Sequence, residues 1–437
     1  MTTSETQVAT TPSTKNEESK PAPVEPTAHF SGNHVEILDA LNFAEFGIEP
    51  KAQPPAQRGV LIETGQNLLA LSAYDFDTAV TVSVPASTPA AKGSSLLDFT
   101  ELKKTLGAMV AGETKAVAAR TRVSLAGDLL STEHLTVPVT THDVDTYTRP
   151  LEPVPAMATM DAQTFLGQLN RVLPAAGRDY TLPVLTGIQI TLDGTTLTMA
   201  TTDRYRFAVA EVAATATAQP PEKPLNALIP AATLAALAKR LKAHDGPVGI
   251  GILHADHTAG EAPADRPTPR ATLSLGAVTI TMRSLDGSLP TYRKLFPETC
   301  DTAIRLDRAT TVRATKKCQA ILTAKGLKNA PVTFVWDTDG NLTLAPRLDT
   351  AEDKARAKGM PVPTAITHGT GETLHGGVAA FNPSFLLDVL NTFTGDTVTL
   401  HLGEMKNGQL NKPALFTAGP EMSGQGYRHL LMHIRLA

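Results

Sequence analysis

The feature that most constrains this 437-residue chain is an order of elements that occurs three times along it. In the clearest copy, apolar residues lie on one face of a segment that begins at the capping residue Asp161, which predicts a helix at 161–173. Alternating apolar residues then flank a turn at 193–194, as in a β-hairpin. A further strand follows, and the copy ends with a second helix at 230–243 and strands at 247–253 and 271–283.

The same order recurs in the last third of the chain and, more weakly, in the first third. The last third contains predicted helices at 310–324 and from Asn382 onward, a hairpin turning at 339–340, and strands at 397–402, 414–418 and 430–436. The first third contains predicted helices at 35–46 and 97–109 and strands at 59–63, 68–73, 115–125 and 135–139. We therefore predict an α+β protein with three tandem domains at 28–152, 153–298 and 299–437.

Composition limits what such a chain can do. Residues 1–27 almost lack large apolar side chains, so we expect a disordered N-terminal tail there. The 39 basic and 43 acidic residues give a net charge of -4, which excludes a uniformly basic nucleic-acid coat. With only two cysteines and no apolar stretch of membrane-spanning length, we expect a soluble cytoplasmic protein without disulfides.

A set of short segments resembles a known family. They read LPVLTG at 182–187, ATTDRYRFAV at 200–209, DGSLPTYR at 286–293, FNPSFLLDVL at 381–390 and YRHLLMHIRL at 427–436. In this order and spacing they resemble the beta sliding clamp of bacterial DNA polymerase III, and the last segment is similar to the actinobacterial branch. The resemblance extends over essentially everything after the tail.

The resemblance implies three DNA-clamp domains per chain and a head-to-tail homodimeric ring, with helices lining the hole and sheets outside. Such a ring encircles duplex DNA and has no catalytic activity or cofactor. It tethers the DNA polymerase III alpha subunit, the clamp loader and other proteins that carry a clamp-binding motif. Sliding requires a sequence-independent attraction to phosphates, which basic side chains on the lining helices supply. The candidates are Arg171, Lys239, Arg240, Lys242, Lys316, Lys317, Lys103 and Lys104.

The lining departs from the family's pattern in two places. Ala231 and Ala232 follow the proline that opens the second helix of the middle domain, where the family usually has a basic residue. The first predicted helix carries Glu36, Asp39 and Glu45, where clamps tend to be neutral or basic. Both departures weaken the expected positive lining.

The resemblance also implies a pocket between the middle and last domains that holds a short, mostly apolar peptide of a partner protein. For its apolar members, ordinary core packing is the alternative. His433 stands where the family usually has proline, so the backbone gains freedom and the pocket's edge gains a polar ring. The expected pocket residues are Leu185, Thr202, Arg204, Phe207, Pro290, Leu295, Phe385, Leu430, Met432, His433, Ile434 and Arg435.

Subunit contact in this family uses edge strands of the first and last domains. The segment HLTVP at 134–138 resembles the first-domain edge, with Leu135 and Val137 as contacts. Its proline is tolerated because an edge strand need not donate every hydrogen bond. We expect the matching edge at 303–306 or in the strands after Val332.

Three alternatives remain open. An enzyme would need a metal site such as His254, Asp256 and His257, although no matching ligand cluster occurs elsewhere in the sequence. A divergent first domain, the altered lining and His433 suit a specialised second clamp, which either serves a subset of polymerases or replaces the main clamp when a pocket-directed toxin or antibiotic blocks it. A clamp-like monomer would need only the peptide pocket, and the edge near Leu135 distinguishes it from a ring.

Overall fold

The structure is a computed structural model of the chain. It describes residues 27–217, 219, 221–254, 267–290, 294–337, 341–370, 374 and 377–436. The predicted tail, except for residue 27, and the predicted turn at 339–340 lie outside these residues. No helix among the described residues is long and apolar enough to cross a membrane.

The first domain begins with a strand that the sequence prediction missed. Asn33 and Asp98 cap the two long helices because their side chains accept hydrogen bonds from backbone N–H groups of the first turn. The predicted strand at 115–125 is wrong at its start, where a short helix stands instead. The helices are α1 (His34–Ala44), α2 (Phe99–Met109) and α3 (Lys115–Ala118). The strands are β1 (His29–Asn33), β2 (Gly59–Gly65), β3 (Leu68–Tyr74), β4 (Thr78–Ser87), β5 (Gly93–Asp98), β6 (Arg122–Ala126), β7 (Leu129–Ser131), β8 (Thr136–Pro138) and β9 (Thr141–His142).

The middle domain follows the sequence prediction most closely. Asp161 caps its first helix, whose buried face includes Phe165, Leu169 and Val172. The segment 271–283, predicted as one strand, is a hairpin that turns at Gly276, whose φ of 62° suits glycine. The helices are α4 (Ala162–Val172) and α5 (Ala231–Arg240). The strands are β10 (Ala158–Asp161), β11 (Gly187–Asp193), β12 (Thr196–Thr202), β13 (Arg206–Ala213), β14 (Thr215–Ala216), β15 (Leu225–Pro230), β16 (Pro247–Leu253), β17 (Arg270–Leu275) and β18 (Val278–Arg283).

The last domain differs from prediction mainly at its end. Its final strand runs from Tyr427 to Leu431, so the predicted strand at 430–436 starts too late and extends too far. The helices are α6 (Arg308–Ala324), α7 (Ala351–Arg356) and α8 (Pro383–Asn391). The strands are β19 (Thr302–Asp307), β20 (Val332–Trp336), β21 (Leu342–Pro346), β22 (Met360–Val362), β23 (Thr364–His368), β24 (Val378–Phe381), β25 (Thr397–Leu402), β26 (Met405–Lys406), β27 (Gln409–Leu410), β28 (Ala414–Thr417) and β29 (Tyr427–Leu431).

The three domains share one sheet plan. One sheet has the order β5-β2-β3-β4 in the first domain, β15-β11-β12-β13 in the middle domain and β24-β20-β21-β22 in the last. The other has the order β1-β6-β7-β8, β10-β16-β17-β18 and β19-β25-β28-β29. Each chain segment therefore folds into the same pair of four-stranded sheets with helices packed on them, as the repeated sequence order predicts.

Neighbouring domains are joined by continuous sheets. The strand β4 of the first domain pairs antiparallel with β18 of the middle domain, and β13 of the middle domain pairs antiparallel with β29 of the last. The repeat therefore pairs the fourth strand of one sheet with the final strand of the next domain. By the same rule β22 and β8 lack a partner, because within the described chain β22 pairs with β21 alone and β8 with β7 alone.

The helices lie side by side as one layer. Within the domains α1 packs on α2, α4 on α5 and α6 on α8. Between domains, Arg240 at the end of α5 reaches Asp39 of α1, and Arg171 of α4 reaches Thr392 at the end of α8. The order of helices in this layer is therefore α2-α1-α5-α4-α8-α6.

Candidate functional site

The turn between β12 and β13 has a backbone fixed by its own side chains. The Asp203 carboxylate accepts hydrogen bonds from the N–H groups of Tyr205 at 3.0 Å and Arg206 at 2.9 Å. Thr202 Oγ1 donates to the carbonyl oxygen of Arg206 and accepts from the N–H of Arg204. Arg204 adopts a φ of 80°, an uncommon conformation for a residue with a side chain. A residue held in this way marks a place that its surroundings constrain strongly.

Arg206 is the most heavily engaged charge at this turn. Its side chain is 4% exposed, and it contacts Asp203 at 2.9 Å and Asp388 of α8 at 2.6 Å. Its guanidinium also lies 4.5 Å from the centre of the Phe385 ring. The side chain therefore ties the middle domain to the last. Arg206 lies within the motif at 200–209, but no local pattern indicates its role, because Asp388 is distant in the chain.

A cleft of ≈ 480 Å³ opens between this turn and α8. Three of the expected pocket residues line it, namely Leu185, Arg204 and Phe385. Asn382 caps α8 by accepting from the N–H of Phe385, which positions that ring at the cleft. The cleft thus combines apolar walls with the charges of Arg204 and the Arg206 cluster.

A separate apolar cluster lies on the other side of the same turn. Phe207 and Leu430 are buried in it, and the Phe207 ring meets Phe296 edge to face at 6.0 Å. Leu295, which directly precedes Phe296, is 53% exposed, and Met432, which directly follows β29, is 43% exposed. The expected pocket residues are therefore divided between a buried floor and exposed apolar side chains. Thr202 is buried and Pro290 is exposed.

The segment after β29 crosses from one domain to the other. Met432 N–H donates to the carbonyl oxygen of Tyr205 at 2.8 Å, and Ile434 N–H donates to that of Ala380 at 2.7 Å. His433 lies half-buried between them, and burial, together with nearby Arg435, lowers its pKa. Because its pKa lies below the usual 6.5, the His433 ring is neutral at pH 7.

The basic candidates on the helices fall into two groups. Lys103 pairs with Glu45, directly after α1, at 2.7 Å, and Arg240 pairs with Asp39 of α1 at 3.4 Å, so acidic residues partly neutralise both. The second group is exposed and forms no ion pair with any described residue; it comprises Lys104, Lys239, Lys242, Lys316 and Lys317.

Arg171 differs from its expected position. Its Nε donates to the carbonyl oxygen of Thr392 at 3.0 Å, and its guanidinium lies 4.5 Å from the centre of the buried Tyr427 ring. The side chain is half-buried at the junction of the middle and last domains rather than extended into solvent. The helical position alone suggested a free cation, whereas the facing domain captures it.

The expected dimer edge of the first domain is an edge strand. Val137 lies on β8 and Leu135 directly precedes it, with 46% of its surface exposed. The expectation of a matching edge at 303–306 is wrong, because β19 pairs with β25 on one side and β23 on the other. The free edge that the pairing between domains predicts is β22, one of the strands after Val332, although β23 and β26 also end their sheets among the described residues.

The proposed metal ligands lie mostly outside the described residues, since the structure does not describe 255–266. His254 itself donates from Nδ1 to the carbonyl oxygen of Asn226 at 3.0 Å. Among the residues that are described, no group of three or more His, Cys, Asp and Glu side chains is arranged to hold a metal ion.

Comparison with known proteins agrees with this architecture. Residues 159–291 match the family described as the central domain of the DNA polymerase III beta subunit. The chain is 28% identical to the beta sliding clamp of Streptomyces coelicolor over 92% of this chain and 97% of that protein. It is also 28% identical to the beta sliding clamp homolog GriR of Streptomyces muensis, over 81% of this chain and 85% of that protein.

The structural comparison covers nearly the whole chain. The crystal structure of the DNA polymerase sliding clamp from Bacillus subtilis matches with a TM-score of 0.73 at 15% identity, over 94% of this chain and 100% of that one. The sheets, the helix layer and the sequence match therefore point to one family. The chain is similar to the beta sliding clamps of bacterial DNA polymerase III in its sequence and in its fold.

Proposed function

We propose that this protein is a DNA sliding clamp: two copies close head to tail around duplex DNA and tether the DNA polymerase III alpha subunit and other clamp-binding proteins. The clamp keeps DNA inside a closed ring and offers docking surfaces to its partners, and it catalyses no reaction. A clamp loader opens and closes the ring. The protein acts where the chromosome is replicated, in the cytoplasm. We assign its domains to 28–152, 153–298 and 299–437, with residues 1–27 as a tail.

The observation that carries this proposal is the pair of free edges. Within the chain, the fourth strand of one domain's first sheet pairs with the last strand of the next domain's second sheet at two places, β4–β18 and β13–β29. The strands β22 and β8, in the last and first domains, are left without such a partner among the described residues. A second copy placed by the same rule pairs its β8 with β22 of the first, and the reverse contact closes a ring. Leu135 and Val137 lie in this seam. Pro138 and Pro361 lie on the two edges, and they reduce the number of N–H donors that the ladder can use.

The helix layer lines the hole of such a ring. The exposed lysines on α2, α5 and α6, with Lys242 just after α5, meet phosphates without reading bases, which permits sliding. Lys103 and Arg240 contribute less, since Glu45 and Asp39 already pair with them. Arg171 supports the domain junction instead.

The turn at 202–207 and the segment after β29 form the docking site for partner peptides. A peptide places apolar side chains against Leu295, Met432 and the floor around Phe207, and an acidic residue near Arg204. Leu185 and Phe385 hold its other end in the cleft beside α8. Ile434, Arg435 and the neutral ring of His433 form the edge of this site.

Two measurements test the ring. Light scattering should give the mass of a dimer, and the protein loaded on nicked circular DNA should be retained until the DNA is linearised. Leu135→Lys should produce monomers that are not retained, because a charge in the seam has no partner. Leu68→Lys, at a similarly exposed position outside the seam, is the control. A monomeric wild type, or retention indifferent to linearisation, contradicts the proposal and favours the peptide-binding monomer.

A specialised second clamp is the other candidate, favoured by the acidic α1 and by His433. Asp39 and Glu45 occupy two of the expected DNA-facing cations, which is a weaker lining than a general clamp requires. The discriminating experiment supplies this chain as the only clamp of a cell. Normal replication in that cell would exclude the specialised role. In a second strain that keeps its main clamp, growth that depends on this chain only when the pocket of the main clamp is blocked would establish it.

A further inference from the structure

The backbone around the docking turn of the middle domain occurs a second time, in the first domain. A short 3-10 helix at Pro55–Arg58 precedes β2, as one at Pro183–Thr186 precedes β11. The strands β2 and β3 correspond to β11 and β12 at one constant sequence offset, residue for residue, from Gly59 against Gly187 onward. The correspondence therefore fixes which residues occupy equivalent positions.

The turn itself is reproduced in detail. Asp75 accepts hydrogen bonds from the N–H groups of Asp77 at 3.0 Å and Thr78 at 2.6 Å, as Asp203 does from Tyr205 and Arg206. Phe76 has a φ of 75°, and Arg204, its equivalent, has a φ of 80°. Both turns are thus held in the same uncommon conformation by the same carboxylate.

The following domain also contributes in the same way. Arg283, at the end of β18, donates its N–H to the carbonyl oxygen of Asp77 at 2.7 Å. Met432, just after β29, donates its N–H to the carbonyl oxygen of Tyr205 at 2.8 Å. The junction of the first and middle domains therefore has the full backbone framework of the peptide pocket.

The side chains on the two frameworks differ in a systematic way. Thr202 on β12 faces Phe207 on β13, and the equivalent pair in the first domain is Tyr74 on β3 and Ala79 on β4. The aromatic ring therefore comes from the second strand of the pair in the middle domain and from the first strand in the first domain. The equivalent of Leu185 is Gln57, and that of the exposed Met432 is Arg283. A visiting apolar peptide would therefore meet polar or charged groups at two of the positions that offer apolar contacts in the middle domain.

The first-domain copy is also filled. Tyr74, Ala79 and Leu96 form one buried cluster with Tyr147, which comes from the connection to the middle domain. Tyr147 and Tyr74 are almost fully buried there, and Val144 and Leu151 of the same connection pack against the cluster. The chain's own segment at 144–151 thus covers the framework.

Gln57 lies in this closed copy with none of its surface exposed. Neither atom of its amide has a hydrogen-bond partner among the described residues. Buried amides nearly always form hydrogen bonds. Because the Gln57 amide forms none with the described residues, its polarity contributes no hydrogen-bond energy here. Replacing Gln57 with leucine removes an unpaired group and restores the residue type found in the open copy.

We propose that the junction of the first and middle domains is a second copy of the peptide pocket, closed by the chain's own Tyr147, so that each protomer offers one open pocket. The inference rests on the proposed function, since it extends the peptide site. Its ligand class is the same: a short peptide with apolar anchors. Opening the copy requires space at Tyr147 and an apolar wall at Gln57.

The test measures peptide stoichiometry by native mass spectrometry and calorimetry on the full chain. The probe is acetyl-Leu-Asp-Leu-Phe-amide, whose apolar side chains and single carboxylate match the open pocket. Wild type should bind one peptide per chain, and the double variant Tyr147→Ala with Gln57→Leu should bind two. Tyr147→Phe retains the ring that fills the site and is the matched control, so it should bind one.

The outcomes separate this inference from the proposed function. If wild type binds no peptide, the peptide site of the proposed function fails. If wild type binds two, or if a folded double variant with unchanged first-site affinity still binds one, the closed copy is refuted. Should the double variant not fold, Tyr147→Leu with Gln57→Leu serves as the milder opening. A photoreactive probe on wild type should label residues near Met432 and leave those near Arg283 unlabelled; labelling near Arg283 would also overturn the inference.

Discussion

The two domain junctions of this chain use the same backbone pairing but are held by different side chains. At the first junction, buried Tyr147 fills the space beside β4 and an exposed pair links Asp39 to Arg240. At the second, the buried Arg206 contacts two carboxylates and an aromatic ring across the boundary. A sheet ladder therefore fixes how domains join, whereas side chains decide whether the joint is a sealed interior or a site with open surface.

The largest expected effect distinguishes the charges at the two junctions. Arg206→Ala leaves the 13% exposed Asp203 and the 40% exposed Asp388 without their partner, and because solvent screens Asp388 we expect it to lower the free energy of unfolding by about 3 kcal/mol, the lower end for a buried pair. Arg240→Ala removes an exposed pair and should cost no more than about 1 kcal/mol. Urea denaturation of both variants measures the difference. Equal losses would show that the two junctions are energetically alike.

Acid should weaken the second junction first. Burial lowers the pKa of His429, on the junction strand β29, to about 3, and it also lowers the pKa of His433, which follows that strand. Behind the junction, on β25 of the last domain, burial lowers the pKa of His401 to about 4. Since the unfolded chain binds these protons at its usual pKa near 6.5, the contribution is complete above that pH and decreases below it. Each group loses about 1.4 kcal/mol per pH unit until its folded pKa is reached.

Hydrogen exchange between pH 7 and 5 measures this effect. Amides of β13 and β29 should lose protection relative to those of β4 and β18, whose junction contains none of these three histidines. Replacing the exposed His134 with asparagine should not change the profile. Parallel loss at both junctions would assign the acid sensitivity to the whole fold.

A moderate effect is expected at the open pocket. Met432→Ala removes an exposed apolar contact and should weaken binding of the acetyl-Leu-Asp-Leu-Phe-amide probe by about tenfold. Leu68→Ala, a comparable exposed apolar residue on β3, should leave the affinity unchanged. Fluorescence anisotropy with a labelled probe makes the comparison. An unchanged affinity for Met432→Ala would place the peptide elsewhere.

The smallest effect concerns DNA. Asp39→Asn and Glu45→Gln release Arg240 and Lys103 from their pairs, and each should steepen the salt dependence of DNA binding by up to about 0.9 in log–log slope. Glu404→Gln breaks the Glu404–Lys406 pair on the β26–β27 hairpin and should not alter the slope. If neither Asp39→Asn nor Glu45→Gln changes the slope, the side chains of Arg240 and Lys103 do not face DNA.

Much of the fold could be predicted from sequence because its signals are local. The helix after Asp161 and the hairpin at 193–194 follow from capping, alternation and turn chemistry within a few residues. The edge position of Val137 was instead implied by the family resemblance. The strands β1, β5 and β15 were missed, since their residues pair with segments that are distant in sequence. The strand β4 was also missed, although it forms a local hairpin with β3. The positions of the expected pocket residues came from the resemblance. Their contacts and their exposure came from the structure.

Sequence alone determined the threefold order of elements, because hydrophobic periodicity and turn residues are read over short windows. Tertiary structure alone decided that Arg206 bridges two domains, that Arg171 is captured by Thr392, and that β22 rather than β19 is the free edge. It also placed Tyr147 against Tyr74 and Ala79, which closes one of two equivalent frameworks. Each of these outcomes depends on which distant side chain occupies a shared space, and no local pattern encodes that.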